Sequence, residues 1–377
     1  MQYRQKWGTA VKCLFWLCFV LVAYTYVGYA VLLWLLARLR PRSVANGVYE
    51  PSVSIVIAAR NEAANLPGKI ENLRRLNYPR DRLQIVVVSD GSTDATAEIL
   101  RRENGTIVPV VLDQPQGKAA ALNEAVRHAS GELLFFQDAR QQVDPDALRE
   151  LACCFADRSV GAASGELLLE SPNGAPHSVG LYWTIEKAVR KLEAGSGSVV
   201  GVTGAIYAIR RELYTPMPAG TILDDVFIPM HIARRGRRVV FQPSAMAHDR
   251  VFPEKGREFA RKVRTLTGNY QLLRLAPWIL SAANPLLFRF VSHKLLRLLV
   301  PLLLILMLAA SAGAHGPLYR ALFWCQMAFY ALAVLGLVSP HACRLKPVAL
   351  ANTFVMLNAA AAVAFYNFVI GRNEVWV

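Results

Sequence analysis

The sequence predicts an α/β domain with a doubly wound, mostly parallel sheet, carried between α-helical transmembrane segments. Three observations lead there. Four apolar runs carry no formal charge, one near the start and three near the end. Between them, short Val/Ile-rich runs alternate with segments of helical period. The residues that follow three of the predicted strands are acids, amides and arginines.

The apolar excess is uneven. Of 377 residues, 54% are hydrophobic and 18% charged, against roughly 25% charged in an ordinary soluble domain. Cys13–Ala37 is the first charge-free run. It exceeds the about 20 residues needed to cross the hydrocarbon core as a helix. It is too long for a signal peptide, and Arg38, Arg40 and Arg42 follow it where a small-residue cleavage site would stand. Leu298–Leu318, Ala321–Cys343 and Pro347–Ile370 are the other three. Basic residues concentrate in the middle segment, and Arg344 with Lys346 lie in the last loop, so both are expected on the cytosolic side. Arg4, Lys6 and Lys12 run against that bias. The expected location is a plasma membrane, the inner one in a bacterium, with the middle domain cytosolic. The expected divisions are 1–42 for the first span and its basic flank, 43–270 for the domain, 271–297 for an interfacial segment, and 298–377 for three spans.

The elements of the domain follow in order. Val53–Ala58 reads as a buried strand, and Asn61 as the cap of a helix over 63–76 that Pro79 ends. Gln84–Ser89 is the next strand, followed by an Asp90-Gly91-Ser92 turn and a helix to about Arg102. Ile107–Leu112, then a helix over Gly117–Ala129, then Leu133–Gln137 continue the alternation. Asp144 and Pro145 read as the cap and first turn of another helix. Alternating strands and helices give a parallel sheet, and such sheets bind ligands beyond the carboxyl ends of their strands. Those ends carry Arg60-Asn61-Glu62, Asp90-Gly91-Ser92 and Asp138-Ala139-Arg140.

Several function classes are disfavoured. The net charge of +15 suits an anionic membrane surface and phosphates, and no aromatic-interleaved basic module points to nucleic acid. No G-x-G-x-x-G follows the first strand and no phosphate-loop motif occurs, which disfavours dehydrogenases and nucleotide hydrolases of those types. The six Cys form no C-x-x-C and read as small hydrophobes. The charge-free spans lack the midplane site of a transporter.

At this point the chain resembles the family 2 glycosyltransferases. The residues that carry the resemblance are Val53 to Glu62, Val87 to Asp94, Gly117-Lys118 with Ala121-Leu122-Asn123, Phe136 to Arg140 with Asp144 to Leu148, and Leu223-Asp224-Asp225. They run in family order over 51–265. One span before and several after the domain resemble the processive polysaccharide synthase and ceramide-glucosyltransferase-like branch. The implied fold is GT-A, and the implied reaction is inverting transfer of sugar from a nucleotide-sugar, a UDP-sugar first, to a growing polysaccharide. A lipid acceptor is the alternative, as is a non-catalytic nucleotide-binding subunit of an export complex. Donor, carbohydrate or lipid acceptor, membrane lipids and export or assembly partners are the implied partners.

The resemblance also implies roles. Asn61, Glu62, Asp90, Ser92, Lys118, Asp138 and Arg264 would bind the donor, Asp90 through the nucleotide. Asp225 would be the general base, with Asp224, Gly204 and Arg261 on the acceptor side. Asp138 would hold Mg²⁺ or Mn²⁺ against the diphosphate. The family pattern there is Asp-x-Asp, and Arg140 stands in place of the second acid, so Arg140 could instead supply charge directly. The Gln-x-x-Arg-Trp of the synthases is here Arg261-Lys262-Val263-Arg264-Thr265, without the aromatic platform for an acceptor sugar. Trp183 and Glu186 read as packing residues. Arg289, His293, Lys294 and Arg297 read, with Trp278, Phe288 and Phe290, as an interfacial amphipathic helix.

Overall fold

The computed structural model describes residues 2–103, 105–170, 179–250, 257–339 and 341–371. Strands β1 (Val53–Ala59), β2 (Leu83–Asp90), β3 (Val108–Leu112), β4 (Leu133–Asp138), β5 (Gln142–Val143), β6 (Val160–Glu170), β7 (Ile206–Arg210) and β8 (Arg238–Arg250) form one sheet in the order β3-β2-β1-β4-β7-β6-β8-β5. The β3-β2-β1-β4 half is parallel, as the alternation predicts. Beyond β4 the sheet turns mixed: β7 is antiparallel to β4 and β6, while β6 runs parallel to β8. Every residue of β1 is buried, because both faces of the sheet are covered. Successive side chains therefore enter different cores. Ile55, Ile57, Val87 and Phe135 meet helices α3 (Leu66–Arg74), α4 (Thr96–Arg102) and α6 (Ala147–Ala152). Val56, Val86 and Phe136 meet α5 (Lys118–Arg127) and α8 (Asp224–Arg234).

Two expected caps are corrected. The first helix starts at Leu66, not near 63, and Asn61 sits in the preceding loop with φ 55°. Its side-chain oxygen accepts from the Thr93 amide at 2.8 Å, so it joins two loops and caps nothing. Helix α6 starts at Ala147, and the Asp144 carboxylate instead meets His248 at 2.9 Å.

Four helical stretches are long and apolar enough to cross a membrane: Gly8–Leu39, Leu287–Gly313, Pro317–Val338 and Lys346–Val369. The first comprises most of α1 (Gln2–Ala23), a π-helical turn at Tyr24–Gly28, and α2 (Tyr29–Leu39). The second comprises α10 (Leu287–Phe290), a π-helical turn at Val291–Leu295, and α11 (Leu296–Gly313); α12 (Pro317–Val338) and α13 (Lys346–Val369) complete the set. The domain is tied to them through α7 (Val179–Gly195) and α9 (Arg257–Leu275). Val189 of α7 packs on Tyr29 and Leu33, and Val263 and Tyr270 of α9 pack on Leu298, Ala360 and Ala364.

The basic residues before α11 do not lie on an open interfacial face, contrary to expectation. Arg289 donates to the carbonyls of Glu193 (2.6 Å), Ser198 (2.9 Å) and Ser196 (2.9 Å). His293 lies between Glu186 and Glu193, both on α7, at 3.1 and 2.9 Å. Arg297 bonds Glu186 at 2.8 Å. A carboxylate or carbonyl left unpaired at such a junction costs more than the bond that satisfies it, so these contacts hold the domain at one orientation to the first and second spans. Arg289→Ala removes three carbonyl partners at once and is expected to destabilise the protein by about 2–4 kcal/mol, read as a lowered melting temperature in detergent. Arg289→Lys restores little, because an ammonium lacks the planar fork that spans three carbonyls.

Candidate active site

The carboxyl ends of β1, β2 and β4 open on one side of the sheet. Asp138 ends β4 beside Ala58 of β1. Gly117, at φ 92°, turns the chain into α5, which puts Lys118 in its first turn. The Lys118 ammonium reaches Asp138 at 3.0 Å and Asp224 at 3.4 Å. Burial alone would lower this amine, but Asp138 and then Asp224 outweigh it and hold it well above its ordinary value. Lys118 is thus a fixed cation between two acids that are 86 residues apart in sequence.

A second amine lies underneath. Lys69 is fully buried, donates to Gln137 and to the Gln141 carbonyl, and is lowered to about 7 by burial, partly opposed by Asp138. Nothing in the sequence pattern marks it, since it sits at a core position of α3 between Leu66 and Leu73.

Asp90 is fully buried. Its two oxygens accept the Gln116 amide at 2.6 Å and the Gly117 amide at 2.9 Å. Asp90 thereby shapes the turn that delivers Lys118. Gly91 makes the approach possible, because a Cβ there would stand 2.3 Å from the Pro115 nitrogen and its φ is 56°. Ser92 bonds Ser89 at 2.9 Å and accepts from the Asn61 amide at 3.2 Å. Glu62 accepts from Asn65, and its amide donates to Thr96. Asn61, Glu62 and Ser92 therefore form one braced rim beside the cleft.

Asp224 and Asp225 open α8. The backbone around them is held by an unusual helix interior. Pro229 has no N–H, so the Asp225 carbonyl lacks its partner four residues on. The Val202 amide takes that carbonyl at 2.8 Å. The same loop brings Gly204 against the Asp225 side chain, where a Cβ would lie 3.8 Å from Oδ2. The other oxygen, Oδ1, is buried and has no hydrogen-bond partner among the described residues. Burial and the adjacent Asp224 raise the Asp225 carboxyl to about 6, with Lys294, Lys118 and Arg190 pulling the other way.

Helix α9 braces the loop into α8. Gly268 lets it approach Leu223, to which a Cβ would come within 2.6 Å. Gln271 accepts the Ile222 amide at 2.9 Å and donates to the Gly220 carbonyl at 2.8 Å. Arg264 lies one turn earlier on that face, with its Nε buried and unpartnered among the described residues. Arg261 is a further turn back and exposed.

Arg140 takes a different course from the expected alternative. Its guanidinium pairs with the buried Asp249 at 2.6 Å, so its charge is already matched. The cation that faces Asp138 is Lys118. Among the described residues no three His, Cys, Asp or Glu side chains group as metal ligands. One partly exposed carboxylate, Asp138, fits a Mg²⁺ or Mn²⁺ that keeps its waters and arrives with ligand phosphates, the habit of these hard cations. It does not fit a resident ion held by protein alone. The residues that sequence reading passed over are Lys69, Asp249 and, on α7, Arg190 and Glu193, while Glu186, read as packing, instead pairs with His293 and Arg297. The α7 set carries a signal: charges at i, i+4 and i+7 mark one face of a helix.

Comparisons with known proteins agree with this geometry. Residues 54–214 match glycosyl transferase family 2, and residues 137–365 match glycosyl transferase family group 2. The chain is 25% identical over 232 residues to the poly-beta-1,6-N-acetyl-D-glucosamine synthase of Staphylococcus aureus (strain COL), covering 59% of this chain and 55% of that protein. It is 26% identical over 211 residues to the probable glycosyltransferase YdaM of Bacillus subtilis (strain 168), covering 52% and 50%. The chain thus spans about half the length of these curated relatives. The solved mannosyltransferase PcManGT from Pyrobaculum calidifontis, in complex with GDP-Man and Mn²⁺, superposes with a TM-score of 0.72 at 25% identity, covering 95% of this chain and 99% of that one. With the second family pattern spanning more than half of its residues and the GT-A sheet in place, the chain belongs to the family 2 glycosyltransferases.

Proposed function

We propose that this enzyme transfers a sugar, with inversion, from a nucleoside diphosphate sugar to an acceptor hydroxyl presented at a cytosolic membrane face, with Asp225 as the general base. The observation that carries the reading is the convergence of Asp138, Lys118, Asp224 and Asp225, with a carboxyl raised to about 6 at the end of the series. A base works best when its pKa lies near the working pH. Its free oxygen, Oδ1, is the natural acceptor for the proton.

The residues divide the work. The braced rim of Asn61, Glu62 and Ser92 and the Asp90-held turn form the donor nucleotide's side. Lys118 and Asp138 face the diphosphate, where a divalent cation held by Asp138 and the phosphates would neutralise the leaving group. Arg264, on α9, would add positive charge to the same diphosphate. On the other side, Gly204 lets the acceptor approach Asp225. The acceptor oxygen attacks C1 of the sugar, its proton passes to Asp225, and the C1–O bond to the diphosphate breaks with the electron pair leaving on the phosphate oxygen. Attack opposite the leaving group inverts C1.

The likeness to a polysaccharide synthase supports a growing glycan as acceptor, and the missing Trp after Arg264 supports a short or lipid-linked one. Uridine and guanosine diphosphate sugars are the donors to test first, on the family resemblance and on the GDP-Man bound by PcManGT.

Asp225→Asn is expected to lower turnover by at least about a hundredfold while nucleotide binding stays within twofold; unchanged nucleotide release would remove Asp225 as the base. In the parent enzyme kcat/KM should fall as pH drops through about 6, because protonation removes the base, and should level off above it; a profile flat to pH 5 contradicts the assignment. Excess EDTA should abolish transfer, with Mg²⁺ or Mn²⁺ restoring it, and Asp138→Asn should weaken that restoration; full activity in EDTA would leave the counter-charge to Lys118 and Arg264.

A further inference from the structure

A side chain of α7 reaches the loop that faces Asp225. The Arg190 Nη1 donates to the Thr203 hydroxyl at 2.7 Å. Its Nε stands 3.7 Å from Glu186, one turn back on the same helix. Glu186 in turn meets Arg297 at 2.8 Å and His293 at 3.1 Å. The guanidinium is thus held from behind, and only 17% of the Arg190 side chain is exposed. A planar fork held in this way keeps one N–H aimed at a fixed point.

That point is the middle of a three-residue contact with Asp225. On one side of Thr203, the Val202 amide donates to the Asp225 carbonyl at 2.8 Å. On the other, Gly204 lies against the Asp225 side chain, where a Cβ would stand 3.8 Å from Oδ2. The Thr203 amide donates to the Ser164 hydroxyl at 2.8 Å, so Thr203 is braced through both its backbone and its side chain. Arg190 also brings charge. Asp224 on α8, Lys118 on α5, Lys294 in the π-helical turn Val291–Leu295 and Arg190 on α7 all act on the Asp225 carboxyl, and Tyr207 on β7 faces the same acids. Burial and Asp224 raise that carboxyl to about 6, against the three cations. A nearby positive charge favours the ionised form of an acid, so removing one of them raises the carboxyl further.

We propose that Arg190 is a positioning residue for the base: through Thr203 it fixes the 202–204 loop on Asp225, and its charge favours the carboxylate that accepts the proton. This deepens the proposed transferase reading and rests on it. The two effects are separable. The hydrogen bond to Thr203 acts on the geometry of the site and lowers turnover alike at every pH when lost. The charge acts on the proton equilibrium of Asp225 and moves the acid limb of the pH profile when lost.

The test measures kcat/KM between pH 5 and 8 for the full chain in nanodiscs, by nucleotide release from the uridine or guanosine diphosphate sugar that the parent turns over. Arg190→Met should lower turnover and shift the acid limb upward by at least about half a unit. Arg190→Gln, which keeps an amide donor and loses the charge, should shift the limb in the same direction. Arg190→Lys should keep the parent's limb. Thr203→Val, which loses the hydroxyl and keeps the Arg190 charge, should lower turnover and leave the limb in place. An Arg190→Met or Arg190→Gln variant that melts like the parent and keeps the parent's limb overturns the proposal. Loss of folding in both makes Arg190 a structural residue and overturns it as well. A parent with no limb near pH 6, together with an Asp225→Asn variant of parental turnover, is a different outcome: there Asp225 has failed as the base.

Discussion

The Lys118 ammonium, placed between Asp138 and Asp224, is the contact on which the site depends. It joins the parallel half of the sheet to the helix between β7 and β8. Three acids within reach of one another repel, and without a cation among them one or more would take up a proton. Lys118 bridges Asp138 and Asp224, while burial and the neighbouring Asp224 raise the Asp225 carboxyl. The Asp90 carboxylate secures this arrangement from below by holding the turn that starts α5.

A second constraint governs the surroundings of Asp225. Pro229 withholds one amide inside α8, and the chain uses the freed Asp225 carbonyl to anchor the Val202 loop. The defect in the helix is thereby converted into a link between Asp225 and the small residues facing it. The α9 contacts through Gly268 and Gln271 fix the other approach to the same acids. Since α9 also packs on α13, one helix joins the loop before Asp224 to the long apolar helices.

The replacement of an Asp-x-Asp acid by Arg140 reads differently once its partner is visible. Arg140 faces Asp249, a buried acid from β8. The pair exchanges a possible metal ligand for a link between the loop after β4 and the far strand of the sheet. That link is structural in kind.

Much of this protein is written locally. The Val/Ile runs of β1, β2 and β4, the Pro and Gly punctuation between them, and four charge-free stretches of span length follow from residue chemistry and period alone, and they determined the fold class and the strand ends that carry Asp90 and Asp138. The Asp224-Asp225 pair was legible because it heads a helix in family order. What sequence could not decide is which charges meet. Lys69 looks like any helix lysine until its amine is found under Gln137, and no local pattern says that the Asp90 oxygens hold two backbone amides. The basic residues from Arg289 to Arg297 read as a face for lipid headgroups, yet they turn inward to α7, about a hundred residues earlier in the chain. Pairing of that range depends on how helices dock, and docking is set by shape and burial summed over the whole molecule, which no local pattern records.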